Sequence, residues 1–224
     1  MSVTTDPKTP AQSHYASNFS ATWGFPQGDV KLPVHAFPNA LLADTSLPVQ
    51  LSSLKSLPID LSWNYDVGST STKTLDLNGL LANNLNANVC VDIFLDDDKT
   101  EAASPSKASH EIMVWFGQIG LATQPLGTPV TPAVPMSING TDFTLYYGQN
   151  PTANSQSSFT WVADKNTTSF TGDLMPLVTA LTTQTDGPNV ASYIGYYAFG
   201  SETYYAASNM TFTVSKLDID INTK

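Results

Sequence analysis

Apolar and polar side chains alternate with a period of two along most of this chain, the pattern of strands buried on one face. In residues 89–95, Val89, Val91, Ile93 and Leu95 point one way, and Cys90, Asp92 and Phe94 the other. In residues 110–117, Ile112, Val114 and Phe116 make a plain apolar face, while Glu111, Met113 and Trp115 share the opposite one. Leu61, Trp63 and Tyr65 fall on one face of 60–67, and Phe159, Trp161 and Ala163 on one face of 158–163. Residues 19–25 alternate large and small until Pro26-Gln27-Gly28, whereas 30–34, interrupted by Pro33, is an edge strand at most. Further strands are expected over 50–58, 143–147 and 192–199, and Asn139-Gly140 is the strongest hairpin signal. Over 210–221 the apolar set moves from Phe212 and Val214 to Leu217, Ile219 and Ile221, which implies a bulge near Ser215-Lys216.

The period changes to three and four in 173–181, where Asp173 and Pro176 mark the first turn of the one convincing helix. Residues 68–88 are rich in Ser, Thr and Asn and read as a long loop or hairpin carrying Leu75, Leu77, Leu80 and Leu81. Residues 1–14 read as a flexible N-terminal arm, and 15–224 as a single domain. Many short strands, one helix and no internal repeat predict an all-β sandwich of two curved antiparallel sheets. A chain of 224 residues is ordinary for one large domain of this kind.

Charge and cysteine content narrow the partners. Nine lysines, no arginine and a net charge of −10 argue against nucleic acid, which is gripped through phosphates by basic side chains. An acidic, aromatic-rich surface suits a neutral polysaccharide better. The single Cys90 excludes an internal disulfide and a Cys-based zinc site, and His14, His35 and His110 lack ligand spacing, so neither metal nor other cofactor is expected. No apolar run approaches a membrane span. Residues 1–12 lack an apolar signal core, so no signal peptide is read in this chain.

Glutamate occurs three times, and Glu101 falls in a polar loop, which leaves Glu111 and Glu202. Taken alone, Glu111 and Asp92 are ordinary strand carboxylates, Trp115 is ordinary core, and Glu202 sits in an ordinary polar turn. Together they fit glycoside hydrolysis, which needs two carboxyl groups flanking one bond in an aromatic-lined groove. Four sequons, at Asn18, Asn139, Asn166 and Asn209, fit a secreted protein, although chance supplies some in a Ser/Thr-rich chain.

Glu111-Ile112-Met113-Val114-Trp115 resembles the nucleophile strand of glycoside hydrolase family 12, the retaining endo-β-1,4-glucanases and xyloglucan-specific endoglucanases. Val89-Cys90-Val91-Asp92-Ile93-Phe94 is similar to the strand whose Asp lies beside that nucleophile. Phe170-Thr171-Gly172-Asp173-Leu174 resembles the start of the family's single helix, and Phe199-Gly200-Ser201-Glu202-Thr203-Tyr204 its acid/base turn. The resemblance spans residues 18–221. It implies a β-jelly roll with a concave substrate cleft, a β-1,4-glucan as partner, a secreted monomer and no cofactor. It implies Glu111 as nucleophile, Glu202 as acid/base about 5–5.5 Å away, and Asp92 tuning Glu111. Trp23, Met113, Trp115, Pro125 and Tyr204 would contact the glucan. One departure is that nothing before Trp23 resembles the family's disulfide-tied opening segment, and 68–88 is longer than the family's loop. Missing N-terminal strands are therefore expected, with the leucines of 68–88 covering the exposed rim. The alternative function is a catalytically weak or inactive glucan-binding decoy on the same fold; a jelly-roll lectin fits the paired motifs less well.

Overall fold

The computed structural model describes residues 1–5, 18–29, 33–69, 72, 74–151 and 155–224. The expected arm beyond Thr5, His14 and most of the expected edge strand at 30–34 lie outside them. In chain order the first strands are β1 (Ser2–Thr5), β2 (Phe19–Trp23), β3 (Asn39–Leu41), β4 (Val49–Gln50), β5 (Leu54–Ser56) and β6 (Pro58–Val67). After helix α1 (Leu77–Ala82) come β7 (Asn86–Asp96), β8 (His110–Ile119), β9 (Thr128–Pro129), β10 (Met136–Ile138), β11 (Thr141–Asn150), β12 (Gln156–Ala163) and β13 (Ser169–Asp173). Helix α2 (Met175–Leu181) precedes β14 (Tyr193–Gly200), β15 (Thr203–Tyr205), β16 (Met210–Ile219) and β17 (Asn222–Thr223).

Two sheets carry the fold. The smaller runs β1-β2-β16-β6-β13, and the larger runs β10-β11-β12-β8-β7-β14-β3, with β4, β9 and β15 as short additions. Their facing sides supply one core, in which Leu61, Trp63 and Tyr65 of β6 join Val89, Val91 and Ile93 of β7 and Ile112, Val114 and Phe116 of β8. Burying each such side chain contributes about 1.5–3 kcal/mol, so alternation along β7 and β8 fixes which face looks inward. Aromatic rings stitch the sheets together: Phe116 lies 4.8 Å from Phe170, and Phe199 lies 6.4 Å from Phe212. Gly117 leaves room for this packing, since a Cβ there would come within 2.7 Å of the Trp63 ring.

Local signals account for the connections. Asn139 and Gly140 take φ of 49° and 83°, the doubly left-handed geometry of a two-residue hairpin, and pair β10 with β11. The register of β16 on β6 shifts between Val214 and Lys216, where the change of apolar face places a bulge. Asp173 belongs to β13 rather than to the helix, and its Oδ1 accepts from Leu57 N–H at 2.7 Å and Met175 N–H at 2.9 Å. It ties the helix start to Leu57, the link between β5 and β6.

Two expectations need correction. Ser2–Thr5, read as part of a flexible arm, pair antiparallel with β2 and form the edge of the smaller sheet. Residues 68–88 contain α1, whose start is capped by Asp76 accepting from Gly79 N–H at 3.1 Å. The leucines there do not act as one cover, because a helical turn sends them different ways. Leu80 is fully buried and Leu75 packs against the core, while Leu77 and Leu81 are 39% and 46% exposed. Leu80→Ala is therefore expected to cost about 2–5 kcal/mol in urea unfolding, and Leu77→Ser or Leu81→Ser well under about 1 kcal/mol.

Candidate active site

The outward face of the larger sheet is built from alternate residues of β7, β8, β12 and β14. Cross-strand pairing sets Ser158, Glu111 and Phe94 in one row, with Thr160, Met113, Asp92 and Ala198 in the next. Val162, Trp115, Cys90 and Gly200 form the third. Glu202 follows Gly200 by two residues, in the short link between β14 and β15. The expected carboxyl groups of Glu111, Asp92 and Glu202 are thus brought to one face.

Each carboxyl group meets a different environment. Glu111 accepts a hydrogen bond from Ser158 Oγ at 2.7 Å; burial raises its proton affinity and that bond offsets part of the rise. Asp92 is 7% exposed and its Oδ1 is buried without a hydrogen-bond partner. Burial first, then Glu111 and Glu202, holds it well above the usual carboxylate range. Glu202 is pushed up to about 8, by burial and then by Glu111, against a hydrogen bond from the Asn88 amide. Cys90, fully buried, is raised by burial and by the same three carboxyl groups, which places its thiol among them. Tyr204, 4% exposed, is raised by burial and then by Glu202.

Met113 and Trp115 form the apolar part of this face with Cys90 and Val162, and Trp115 Nε1–H points to Met113 Sδ at 3.4 Å. Half-buried Phe37 and Tyr146 pack against them. Trp23 is a correction. It lies in the core between the sheets, 1% exposed, and donates from Nε1 to Tyr65 OH at 3.1 Å, so direct contact with a polymer is closed to it. Its indole follows the inward phase of β2, which also buries Phe19 and Ala21. Pro125 is buried in the loop after β8 and shares no bond or cluster with this set among the described residues.

Sequence reading did not pick out Asn88, Ser158 or Phe37. Ser158 was legible in principle, because it alternates with core Phe159 and Trp161. Phe37 had no such signal, since it lies outside any strand. His110 turns away to Ser109 Oγ at 3.0 Å and the Asp186 carbonyl at 3.1 Å. Among the described residues, no three His, Cys, Asp or Glu side chains are grouped to hold a metal ion.

Residues 3–222 match the family described as Glycosyl hydrolase family 12. The chain is 31% identical over 205 residues to a probable xyloglucan-specific endo-beta-1,4-glucanase A of Aspergillus fumigatus, covering 91% of this chain and 72% of that one. It is 32% identical over 188 residues to the xyloglucan-specific endo-beta-1,4-glucanase A of Aspergillus aculeatus, covering 84% and 67%. Among solved structures it superposes on the Trichoderma harzianum endoglucanase 3 from family GH12 with a TM-score of 0.77 and 24% identity, over 98% and 83% of the two chains. The native family 12 xyloglucanase from Bacillus licheniformis gives 0.71 at 17% identity, over 96% and 84%. These likenesses bear out the all-β jelly-roll sandwich.

The carboxyl groups carry a stability signature. Glu202 binds its proton up to about pH 8 when folded, against an ordinary value of 4.5, so the folded state holds more protons between those limits. Its contribution to stability is complete below pH 4.5 and lost as pH rises through 8. Asp92 and Glu111 act in the same direction. Urea unfolding between pH 5 and 9 is expected to show falling stability, and Glu202→Gln to flatten that slope; an unchanged slope would contradict the burial of this group.

Proposed function

Because the chain belongs to glycosyl hydrolase family 12, we propose that it cleaves internal β-1,4-glucosidic bonds of a glucan with retention of configuration. Xyloglucan is the first substrate to try, since the relatives described above carry that specificity in their names. The observation that supports the reading is the difference between two glutamates on one face: Glu111 with a hydroxyl donor, and Glu202 holding its proton to about pH 8.

Retention requires one ionised and one protonated carboxyl. Three crowded carboxyl groups with little water cannot all ionise, and the charge settles where donors stabilise it. Ser158 supplies such a donor to Glu111, whereas Asp92 Oδ1 has none, so Asp92 keeps its proton. Glu202 has the Asn88 amide, but burial and the Glu111 charge hold its proton to about pH 8, so Glu111 takes the charge. Glu111 then attacks the anomeric carbon as the carbon–oxygen bond to the leaving sugar breaks, and the Glu202 proton passes to that oxygen. Ionised Glu202 next takes a proton from water, whose oxygen displaces Glu111 and releases the sugar. Met113 and Trp115, on the outward face, form the floor of the groove over which the sugar rings lie, with half-buried Phe37 and Tyr146 at its margin and Tyr204 beside Glu202. Trp23 supports the site from beneath instead of contacting sugar.

A polymeric glucan is too large to cross a membrane, which places this activity outside the cell; among the described residues no helix is long and apolar enough to span one. Hydrolysis of xyloglucan, mixed-linkage β-glucan and carboxymethyl cellulose, followed by viscosity and reducing ends together, is expected to show viscosity falling first on at least one. Glu111→Ala should leave no turnover. Glu202→Ala should lose about 10²–10⁴-fold on polymer and far less on aryl glycosides whose leaving groups need no proton. Binding of these polymers without turnover by the parent protein would favour the decoy reading.

A further inference from the structure

The Ser201–Glu202 turn is held by one residue of the neighbouring strand. Asn88 of β7 donates its backbone N–H to the Glu202 carbonyl at 3.2 Å, and its Oδ1 accepts from Glu202 N–H at 2.9 Å. Its side-chain Nδ2 donates to Glu202 Oε2, and its carbonyl accepts from Ser201 Oγ at 2.5 Å. The amide orientation follows from this pairing, because a flip would set oxygen against carboxylate and NH₂ against N–H.

The string continues through the core. A carbonyl can only accept, so Ser201 Oγ–H points to Asn88 and its lone pair receives Tyr65 O–H at 2.6 Å. Tyr65 oxygen in turn accepts from Trp23 Nε1–H at 3.1 Å. Tyr65 lies on β6 and Trp23 on β2, both of the opposite sheet. The donors of this chain therefore run one way, from the smaller sheet to the acid/base turn.

We propose that Asn88 is the positioning residue for Glu202, and that the buried Trp23–Tyr65–Ser201 string anchors this clamp to the opposite sheet. The proposal rests on reading Glu202 as the acid/base. The clamp fixes the direction of the carboxyl group and, by donating to Oε2, favours its ionised form, the form left after the leaving oxygen has been protonated. Glu111 from β8, Asp92 and Cys90 from β7, and Tyr204 from β15 face the same group and, on ionising, would each repel its charge. The Asn88 amide works against all of them.

The test uses the whole protein with carbon-13 in the glutamate carboxyls, which gives three signals because the chain has three glutamates. Glu111→Gln identifies one signal and Glu101→Gln, at the surface ion pair with Lys107, identifies another, which leaves Glu202. Asn88→Ala removes the donor, and the isosteric Asn88→Asp exchanges it for a like charge. Each is expected to raise the Glu202 midpoint by about one pH unit, the weight of one lost bond to a charged group, and to move the alkaline limb of kcat/KM upward with it. Tyr65→Phe keeps the ring in the core and should lower kcat with KM nearly unchanged. A folded Asn88→Asp protein whose Glu202 midpoint stays at the parent value overturns the proposal. A parent without turnover on any glucan, but with an Asn88-dependent midpoint, upholds the clamp and removes the glucanase reading instead.

Discussion

Three carboxyl groups crowd one face, Asp92 buried and Glu111 and Glu202 partly so, and that constraint organises the rest of the structure. In water Glu111, Asp92 and Glu202 would all be ionised at neutral pH. Here burial raises all three, and each charge that forms raises the others. The protein answers with donors placed unequally: Ser158 for Glu111, Asn88 for Glu202, and none at Asp92 Oδ1. Unequal hydrogen bonding sets Asp92 apart from the two glutamates, and the Glu111 charge, which raises Glu202, sets those two apart from each other, the difference a double displacement needs. The smaller sheet takes part as well, through the Trp23–Tyr65–Ser201 string.

Period-two alternation was enough to assign the inward and outward faces of β7, β8 and β12, because a one-residue slip would expose the whole apolar set. Hairpin and bulge were legible for the same reason: Asn139-Gly140 permits a backbone that few residue pairs accept, and the Val214-to-Leu217 change of phase needs an extra residue. Helix α1 was not legible, since Asp76-Leu77-Asn78-Gly79 resembles loop chemistry until Asp76 is seen capping it. Sequence patterns report which residues are apolar, not what covers them. Trp23 illustrates this: a tryptophan in the alternating 19–25 segment invites a sugar-binding role, yet the pairing of β2 between β1 and β16 turns it inward.

The candidate site was legible as a set of carboxyl groups and illegible as a mechanism of holding them. Glu111 and Asp92 announced themselves by interrupting apolar strands. Asn88 did not, because its four bonds of the clamp reach two residues, Ser201 and Glu202, more than a hundred positions away, and an asparagine inside an Asn-rich stretch carries no local signal. Polar residues that act through tertiary hydrogen bonds leave no periodic trace.

The distance along the chain between the partners of the Asn88–Glu202 clamp also dictates when the face can exist. The two residues are 114 positions apart, and Ser158 meets Glu111 through a parallel pairing of β12 with β8 across 47. Parallel and distant pairings close late, after the loop entropy between them has been overcome. On the ribosome, β7 and β8 emerge with their carboxyl groups long before β14 and β15 arrive to receive them. Until then the acidic face lacks Glu202, and the Asn88 side chain lacks the turn it holds, so the chemistry is completed only when β14 and β15 join the larger sheet.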